Sequence, residues 1–203
     1  MANQQRRAQI ADAALELFGQ RGYNATGMED IAAAVGMATS SLYNHVGSKR
    51  ELLTDIVLST LSGLLEHHRR GTEGLDGPST RLHAAMSLHV RYHAEHARAT
   101  RVVNNEIAHL DAPSRARATK LRRRYVRYWQ EILAAGVEAG EFAVGDVKVT
   151  AYALIDMGLG VCLWFDPQAR YSAEELGRIY ADMALRGVRG VRAGAPDPAE
   201  SPA

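Results

Sequence analysis

The stretch GMATSSLYNHVGSKRELL, Gly36–Leu53, carries the strongest topological signal in the chain. Its first residue, a glycine, can adopt the left-handed backbone conformation of a sharp turn, and it follows a helical segment that starts near Met28. About two turns of helix then run to His45, and the capping-box spacing of Ser48 and Glu51 opens a longer helix. Thr26 with Glu29 and Ser172 with Glu175 have the same spacing and predict two further helix starts. A helix, a glycine turn and a second short helix form the unit that places the second helix in the major groove of DNA.

The second short helix has one polar and one apolar side. Leu42 and Val46 lie four residues apart, so both can pack inward, and Tyr43 then points to the exposed side. The remaining side chains are small or polar and can contact phosphates or base edges: Thr39, Ser40, Ser41, Asn44 and His45. A solvated helix face is the alternative interpretation, because exposed polar helices and turns of this shape occur in many helical proteins.

The composition and periodicity of all 203 residues predict an all-α fold. Alanine, leucine, arginine and glutamate are abundant and β-branched residues are sparse, which favours helices. Apolar residues recur at helical spacing in about nine segments: residues 6–20, 28–35, 37–45, 48–69, 80–95, 97–110, 113–139, 147–165 and 172–189. A connection at 71–79, which contains three glycines and a proline, separates two units, and we expect the tail at 190–203 to be disordered.

The same composition excludes several classes of protein. The single cysteine, Cys162, can build neither a disulfide framework nor a cysteine zinc site, which fits a reducing cytoplasm. The longest apolar run, 149–165, has 17 residues and contains Asp156, and the N-terminus is not signal-like, so we expect a soluble protein without a membrane partner. The sequence has no nucleophile elbow, phosphate-binding glycine loop or convincing metal-ligand motif, so we expect neither an enzyme nor a bound cofactor.

A set of positions in the first quarter of the chain matches a known family pattern. These positions span roughly residues 6–53: Leu17, Phe18, Gly22, Tyr23, Thr26, Ile31, Ala32, Gly36, Ser41, Leu42, Tyr43, His45, Ser48 and Lys49. The segment resembles the N-terminal domain of the TetR family of transcriptional regulators. Two positions depart from that pattern, because Ala38 stands where the family often has a helix-capping serine and Val46 stands where phenylalanine is usual.

The resemblance implies a domain organisation. It implies a three-helix helix-turn-helix DNA-binding domain at 1–50 and a helical ligand-binding and dimerisation domain at 51–189. The helix at 51–70 would link the two domains.

By the same resemblance, two groups of residues contact DNA. Thr26 and Gly27, at the positive N-terminus of the second helix, are expected on backbone phosphates, as are Tyr43 and Lys49. The recognition helix would then read bases, with an asparagine suited to adenine: Thr39, Ser40, Asn44 and His45, with Ser41 as a further contact. Because the net charge is only +1, the basic residues must act locally. Arg6 and Arg7 could reach a flanking phosphate or the minor groove, or could simply face solvent.

A single short recognition helix distinguishes too little sequence, so we expect a homodimer that reads two half-sites of a palindromic operator. The segment 147–165 is apolar nearly all round, and Gly158 and Gly160 permit close approach of a neighbour. TetR-family proteins pair their last two helices into a four-helix bundle between subunits. This implies an interface formed by Leu159, Val161, Leu163, Leu176, Ile179, Tyr180 and Met183.

The long helix at 113–139 supplies a candidate effector site. Its inward arc is apolar and aromatic, yet Arg122 falls on the apolar side, where an unpaired guanidinium would be costly. Arg122 therefore needs an anion, either Glu106 or Asp156 or a ligand carboxylate or phosphate. Seven basic residues at 115–127, together with a similarity of the C-terminal half to lipid and steroid catabolism regulators of the family, favour an acyl-CoA-type effector. The predicted pocket consists of Arg122, Tyr125, Trp129, Met157 and Trp164.

We therefore expect a cytoplasmic, ligand-responsive regulator, a repressor that a small hydrophobic or acyl-CoA-type effector releases from DNA. A constitutive architectural DNA-binding protein without an effector is one alternative. A metal-responsive regulator is another, since His89, His93 and His96 follow an i, i+4, i+7 pattern, although exposed histidines are common on such helices. The effector, the operator and the choice between repression and activation stay open at this point.

Overall fold

The computed structural model describes residues 2–189, so the tail predicted to be disordered, 190–203, lies outside the described residues. Within that range the chain is all-α, which confirms the predicted fold class. It forms α1 (Ala2–Arg21), α2 (Met28–Ala34), α3 (Thr39–Tyr43), α4 (Lys49–Thr72), α5 (Pro78–Glu95), α6 (Ala97–Glu106), a 3-10 turn (Ile107–His109), α7 (Ala112–Glu138), α8 (Val147–Leu159), α9 (Val161–Trp164) and α10 (Ala173–Arg189). The helix predicted at 147–165 is divided at Gly160, which is why ten helices replace the expected nine.

The turn between α2 and α3 has the geometry that the glycine predicts. Gly36 adopts a left-handed conformation with φ of 66°, and the amide of Met37 donates to the carbonyl of Ala32 at 3.0 Å. These features close α2 and redirect the chain into α3. Ala38 is the N-cap of α3 and supplies no side-chain hydrogen bond, so the departure from the family pattern leaves the recognition helix without a polar cap. The helix nevertheless begins at Thr39.

Ser48 and Ser172 cap helices as predicted, but only Ser172 forms the complete reciprocal box, because Glu51 Oε2 accepts from the amide of Gly47 rather than that of Ser48. At the start of α4, the amide of Glu51 donates to Ser48 Oγ at 3.1 Å. At the start of α10, the amide of Glu175 donates to Ser172 Oγ at 3.2 Å, and the amide of Ser172 donates to Glu175 Oε2 at 2.8 Å. These local bonds satisfy amide groups that have no acceptor within their own helix.

The chain has two hydrophobic cores, and α4 belongs to both. The N-terminal core joins α1–α3 and the first half of α4 to residues of α6 and α7: Ile10, Ala14, Leu17, Phe18, Ile31, Ala32, Leu42, Val46, Leu52, Leu53, Ile56, Val57, Leu61, Val102, Val103, Leu110 and Ala118. The C-terminal core is formed by the second half of α4 with α5 and α7–α10, and its largest fully buried side chains are Leu82, Met86, Trp129, Ile132 and Leu133. The helix α4 therefore links the two parts of the molecule mechanically.

The segment Val147–Trp164 is the one stretch among the described residues that is apolar and long enough to cross a membrane. The helix stops at Leu159, and α8 with its 13 residues is only about 20 Å long. A hydrocarbon core of about 30 Å needs a longer helix. In this fold Ala151 and Leu154 of α8 and Val161 of α9 are buried in the C-terminal core, so the segment packs as two short helices on the rest of the protein.

Candidate functional site

The recognition helix α3 separates its residues as the pattern predicts. Leu42 and Val46 are buried in the N-terminal core, whereas Tyr43 is 53% exposed. The polar residues of the predicted DNA-contact group lie on the outer side, with Ser40 and Asn44 exposed and the others half-buried: Thr39, Ser41 and His45. His45 Nδ1 also lies 2.8 Å from Asn3 Oδ1 of α1. The helix thus offers a polar surface to a partner while two apolar side chains fix its position.

At the start of α2 the predicted capping box is wrong by one residue. The N-cap is Gly27 rather than Thr26, and the amide of Gly27 donates to Asp30 Oδ2 at 2.7 Å. Thr26 is buried, and its hydroxyl donates to the carbonyl of Gly22 at 2.9 Å. The Thr26 hydroxyl and the Gly27 amide are therefore both engaged inside the domain, and the amide groups at the start of α2 that have no acceptor within their helix are those of the following residues, Met28 and Glu29.

Lys49 is also held within the domain. Its ammonium group donates to the carbonyls of Tyr23 at 2.9 Å and Thr26 at 2.6 Å, and it lies 4.4 Å from the centre of the Tyr23 ring. An ammonium group has three N–H donors, so one remains after these two bonds. Lys49 therefore fastens α4 to the α1–α2 loop and places a positive charge beside the N-terminus of α2.

The two arginines at the start of α1 bind neighbouring helices. Arg6 donates to the carbonyl of Val35 at 3.1 Å. Arg7 donates to Glu51 at 2.5 Å and to Asp55 at 2.7 Å, and hydrogen bonding to Asp55 raises the pKa of Arg7 above its ordinary value. Both guanidinium groups thus tie α1 to α2 or α4, which is neither of the roles considered for them from the sequence.

A second contact joins the α1–α2 region to α6 and the 3-10 turn. The Tyr23 ring stacks on His109 with centroids 4.9 Å apart, and the amide of Tyr23 donates to Glu106 Oε1 at 3.3 Å. Arg98 at the start of α6 forms an ion pair with Glu16 of α1. Sequence reasoning missed this interface, because the partners in each pair lie far apart along the chain and periodicity detects only local patterns.

A cavity of about 420 Å³ lies between α4, α5, α6, α7 and α8. Its walls are largely apolar, and besides Thr60 of α4 and Tyr152 and Asp156 of α8 its polar residues fall into two groups. One group is hydrophilic and surrounds the α6–α7 side: Asn104, Thr119, Arg122 and Arg123. The other contains rings and a hydroxyl and lies against α5 and α7: His89, Tyr92, His93, Thr100 and Tyr125. A concave apolar space with a few convergent polar groups is the usual form of a small-molecule site.

Arg122 lies in the cavity wall without a carboxylate partner. Its guanidinium donates to Asn104 Oδ1 at 2.9 Å and to the carbonyl of Val103 at 3.4 Å, and within residues 2–189 it forms no ion pair. Glu106, one predicted partner, bonds to Tyr23 instead. Burial lowers the pKa of Arg122 from its ordinary value, which reflects a charge that is only partly solvated. The positive charge is thus available to an anion in the cavity.

Three histidines are buried beside the cavity, and we refer to His68, His89 and His93 as the buried histidines. The Tyr125 hydroxyl lies 3.0 Å from His68 Nε2 and 2.7 Å from His89 Nδ1, and His93 Nδ1 lies 2.9 Å from Thr100 Oγ1. Burial lowers the pKa of His68 and of His93 to about 3, and it lowers the pKa of His89 well below its ordinary value. All three are therefore neutral near pH 7.

The histidine pattern forms part of the cavity wall and does not form a metal site. His89 and His93 are buried, whereas His96 is exposed and stacks on Tyr92 with ring centroids 4.3 Å apart. Across residues 2–189, no group of three or more His, Cys, Asp or Glu side chains is arranged to hold a metal ion. The sequence signal for this wall was the position of His89 and His93 among the apolar residues of α5, beside Met86 and Val90.

The predicted effector pocket is corrected at three positions. Arg122 and Tyr125 line the cavity, but Trp129, Met157 and Trp164 do not. Trp129 is fully buried behind the cavity, and within the described chain its indole N–H has no hydrogen-bond acceptor. Met157 packs against the C-terminal core, and Trp164 is 55% exposed at the end of α9. A helical projection identifies the inward side of a helix but does not distinguish a packed core from a cavity.

Most of the exposed large apolar side chains belong to α8, α9, α10 and the loop before α10, and we refer to this set as the α8–α10 face: Val149, Tyr152, Leu163, Trp164, Tyr171, Ile179 and Met183. Of the predicted interface residues, Leu163, Ile179 and Met183 are exposed there, and Tyr180 is half-buried. Three others are corrected, because Val161 and Leu176 are buried in the C-terminal core and Leu159 lines the cavity. The resemblance identifies the helices that pair but not which of their side chains the subunit's own core or cavity takes up.

Comparisons with known proteins identify one family for both the N-terminal and the C-terminal part of the chain. Residues 10–56 match the family model described as "Bacterial regulatory proteins, tetR family", and residues 75–188 match the model described as "Tetracyclin repressor-like, C-terminal domain". The chain is 29% identical over 186 residues to the HTH-type transcriptional repressor KstR2 of Rhodococcus jostii (strain RHA1), covering 90% of this chain and 91% of the relative.

Two solved structures are similar in fold and sequence. The TetR family transcriptional regulator PfmR from Thermus thermophilus superposes with a TM-score of 0.80 at 34% identity, covering 87% of this chain and 97% of PfmR. AibR in complex with isovaleryl coenzyme A and operator DNA superposes with a TM-score of 0.79 at 26% identity, covering 90% of this chain and 97% of AibR.

Proposed function

Because the chain belongs to the TetR family of DNA-binding transcriptional regulators, and is thus not an enzyme, we propose that it is a cytoplasmic repressor. It binds a palindromic operator as a homodimer, and a small hydrophobic effector of the acyl-CoA type releases it. The relative from Rhodococcus is a repressor, and the similar AibR structure contains both an acyl-CoA and operator DNA. The geometry of three surfaces supports this function.

The first surface is the DNA contact. The outer side of α3 offers Ser40, Asn44 and the half-buried Thr39, Ser41 and His45 to base edges, and Tyr43 with its exposed hydroxyl reaches a phosphate. The N-terminus of α2 binds a second phosphate through the backbone amide groups that follow Gly27, since the Gly27 amide is engaged by Asp30, and the remaining N–H of Lys49 adds positive charge beside it. Thr26 supports this phosphate contact indirectly, because its hydroxyl donates to the carbonyl of Gly22 and so fixes the loop between α1 and α2.

The second surface is the dimer contact. The exposed apolar residues of the α8–α10 face would be costly in water, and a second copy of the chain that packs on them removes them from solvent. A two-fold dimer then holds two recognition helices about 34 Å apart, the spacing of successive major grooves on one side of B-DNA. Leu163, Ile179 and Met183 are the predicted interface residues that remain exposed for this contact.

The third surface is the wall of the cavity, where the position of Arg122 gives the strongest support for an effector. A half-buried guanidinium without a carboxylate partner, in the wall of a largely apolar space, suits a ligand with an apolar body and an anionic group. We place the acyl group against Leu64, Val126 and Ile155, and the phosphates of coenzyme A near Arg122 and the exposed Arg123. A constitutive architectural binder would have no use for such a cavity.

Release follows from the contacts of α6. Thr100, Val103 and Asn104 of α6 line the cavity, and the end of α6 contacts Tyr23 through Glu106. A ligand that fits better when α6 is displaced would therefore move the DNA-binding head as well. A difference in binding free energy of about 1–3 kcal/mol between the two arrangements changes operator occupancy several-fold to about a hundredfold.

Operator binding in the presence of acyl-CoAs tests this function. The upstream region of the gene and its neighbours serves as the DNA, and a series of acyl-CoAs is added at fixed salt. At least one acyl-CoA should weaken operator binding, and Arg122→Gln should reduce that response about tenfold or more because a charge-assisted bond is lost. Arg127→Gln is the matched control, since Arg127 is exposed on α7 and does not line the cavity. Operator affinity that no acyl-CoA changes would exclude this class of effector.

A further inference from the structure

The hydrogen bonds around Tyr125 determine the tautomers of two histidines. His68 Nδ1 lies 2.8 Å from the carbonyl of Leu64, and His89 Nε2 lies 2.9 Å from the carbonyl of Ile155. A carbonyl oxygen only accepts, so each of these ring nitrogens carries the proton of its neutral imidazole. The other nitrogen of each ring, His68 Nε2 and His89 Nδ1, is then an acceptor, and both acceptors point at the Tyr125 hydroxyl.

The group His68, Tyr125 and His89 is therefore one proton short. Four contacts require four protons: two from ring nitrogens to carbonyls, and two between ring nitrogens and the Tyr125 oxygen. Two neutral imidazoles and one phenol supply three protons. In any other tautomer, the unprotonated ring nitrogen lies opposite a carbonyl oxygen instead, so one contact still lacks a proton. Since all three residues are buried and burial keeps both rings neutral, one ring nitrogen faces an oxygen lone pair.

Resting on the effector function proposed above, we infer that the effector carries a hydrogen-bond donor, a hydroxyl or an amide N–H, on the apolar group that enters the cavity. Tyr125 and His89 both lie in the cavity wall and are buried, so such a group reaches His89 Nδ1 by displacing the Tyr125 hydroxyl from it. A ligand hydroxyl that donates to His89 Nδ1 leaves the Tyr125 proton for His68, and every acceptor in the group then has a donor. The ligand thus supplies the fourth hydrogen-bond donor, and no proton is transferred.

The charged groups around the cavity favour a neutral donor over a carboxylate at this end. The cations that line the cavity, Arg122 and Arg123, belong to α7, where the Arg122 guanidinium is bonded to Asn104 and Val103 of α6, and the only acid in the described lining is Asp156 of α8. From α5 the group faces His93 and Tyr92, and from α7 it faces Tyr128, none of which is cationic near pH 7. A carboxylate at this end would lie against the unprotonated Nδ1 of His89, so two acceptors would face each other without a donor.

The same contact would also transmit the signal. Leu64 and His68 belong to α4, Tyr125 to α7, His89 to α5 and Ile155 to α8, so the chain of hydrogen bonds connects the helix that leads to the DNA-binding head with the helix of the proposed dimer face. A ligand donor that takes the place of Tyr125 at His89 removes one link of this chain. Tyr125 is thus the residue whose proton has two alternative acceptors.

Matched naphthalene probes test the inference on the full-length protein. 2-Naphthol, 2-methoxynaphthalene and naphthalene have the same ring system, and only the first carries a donor. We expect 2-naphthol to bind at least about tenfold more tightly than the other two, the size of effect that satisfying a buried acceptor gives. In ¹⁵N NMR of histidine side chains, the unprotonated Nδ1 of His89 should shift toward lower frequency when 2-naphthol binds, as it does on accepting a hydrogen bond.

Two variants separate the outcomes. In His89→Asn the amide can place an N–H toward Tyr125, so the preference for 2-naphthol should disappear, whereas in Thr119→Ser, at the opposite side of the cavity, it should persist. Equal affinity for the three probes in the wild-type protein, or an imidazolium signal from His68 or His89 at pH 7, would overturn this inference alone. If none of the probes and no acyl-CoA binds, the effector cavity itself is refuted and the inference with it.

Discussion

The close approach of α8 to α5 at Gly158 makes a strong prediction about stability. A Cβ atom at Gly158 would lie 2.9 Å from His89 Nε2 and 3.3 Å from Met86 Cε, and closer still to His89 Cδ2. Real Cβ contacts this short do not occur, so Gly158→Ala must push His89 away from α8. The substitution should therefore break the bond from His89 Nε2 to the carbonyl of Ile155, which is 2.9 Å long.

The magnitude follows from two contributions. Overpacking of a well-packed core costs about 1–3 kcal/mol, and leaving a buried donor or acceptor unpaired costs about 1–3 kcal/mol more. We expect Gly158→Ala to lower the free energy of unfolding by about 2–6 kcal/mol. At about 2–4 °C for each kcal/mol in a chain of this size, the melting temperature should fall by roughly 5–20 °C.

The assay is thermal and urea unfolding at one fixed protein concentration, since association alters apparent stability. Gly160→Ala is the matched control two residues away. A Cβ at residue 160 would have no neighbour closer than 3.5 Å, and the φ of −55° suits alanine. The free energy of unfolding should therefore change by less than about 1 kcal/mol. Equal stability of wild type and Gly158→Ala would refute the packing of His89 under α8, and with it the tautomer assignment of His89.

Three further predictions concern the recognition helix, pH and the dimer. Ala38→Ser should supply the missing N-cap of α3, raise stability by about 1 kcal/mol and tighten operator binding, which unfolding and DNA titration would measure; a looser complex would contradict the capping role. The buried histidines have pKa values below those of the unfolded chain, so the unfolded state binds more protons and stability should fall as pH drops below about 6.5. Three such groups amount to about 4 kcal/mol per subunit between pH 7 and 5.5; urea midpoints that do not move with pH in this range would show that the histidines are not buried and neutral. Met183→Asp should convert the dimer to monomer and abolish operator binding, whereas Glu174→Ala, exposed in the first turn of α10, should leave both unchanged in sedimentation experiments.

Local signals in the sequence were sufficient for most of the fold. Gly36 needed only its own backbone freedom to predict the turn before α3, and Ser48 and Ser172 cap helices through partners three residues away. The capping role of Thr26 was predicted wrongly because acceptors outside the helix were also within reach of its hydroxyl. It donates to backbone carbonyls at the end of α1 and just after it. Where a side chain has acceptors on another element, spacing alone does not determine which one it uses.

The site was harder to predict than the fold because its residues meet only in three dimensions. Periodicity placed both Tyr125 and Trp129 on the inner side of α7, but only packing distinguishes the one that lines the cavity from the one behind it. The role of the buried histidines depended on helices α4, α5 and α7 converging. Val161 was misplaced because it belongs to an apolar segment whose residues divide between the C-terminal core and the surface, and Val161 packs in the core.

The N-terminal core does not end where the DNA-reading segment ends. It includes Val102, Val103, Leu110 and Ala118, which come from the far side of the cavity. A fragment cut after residue 50 would lose these side chains together with Leu52 and Leu53, so it should not fold by itself. Truncation would thus not produce an always-active repressor from this chain, and a substitution at Val102, an α6 side chain of this core that does not line the cavity, should alter DNA binding without touching either the DNA or the effector.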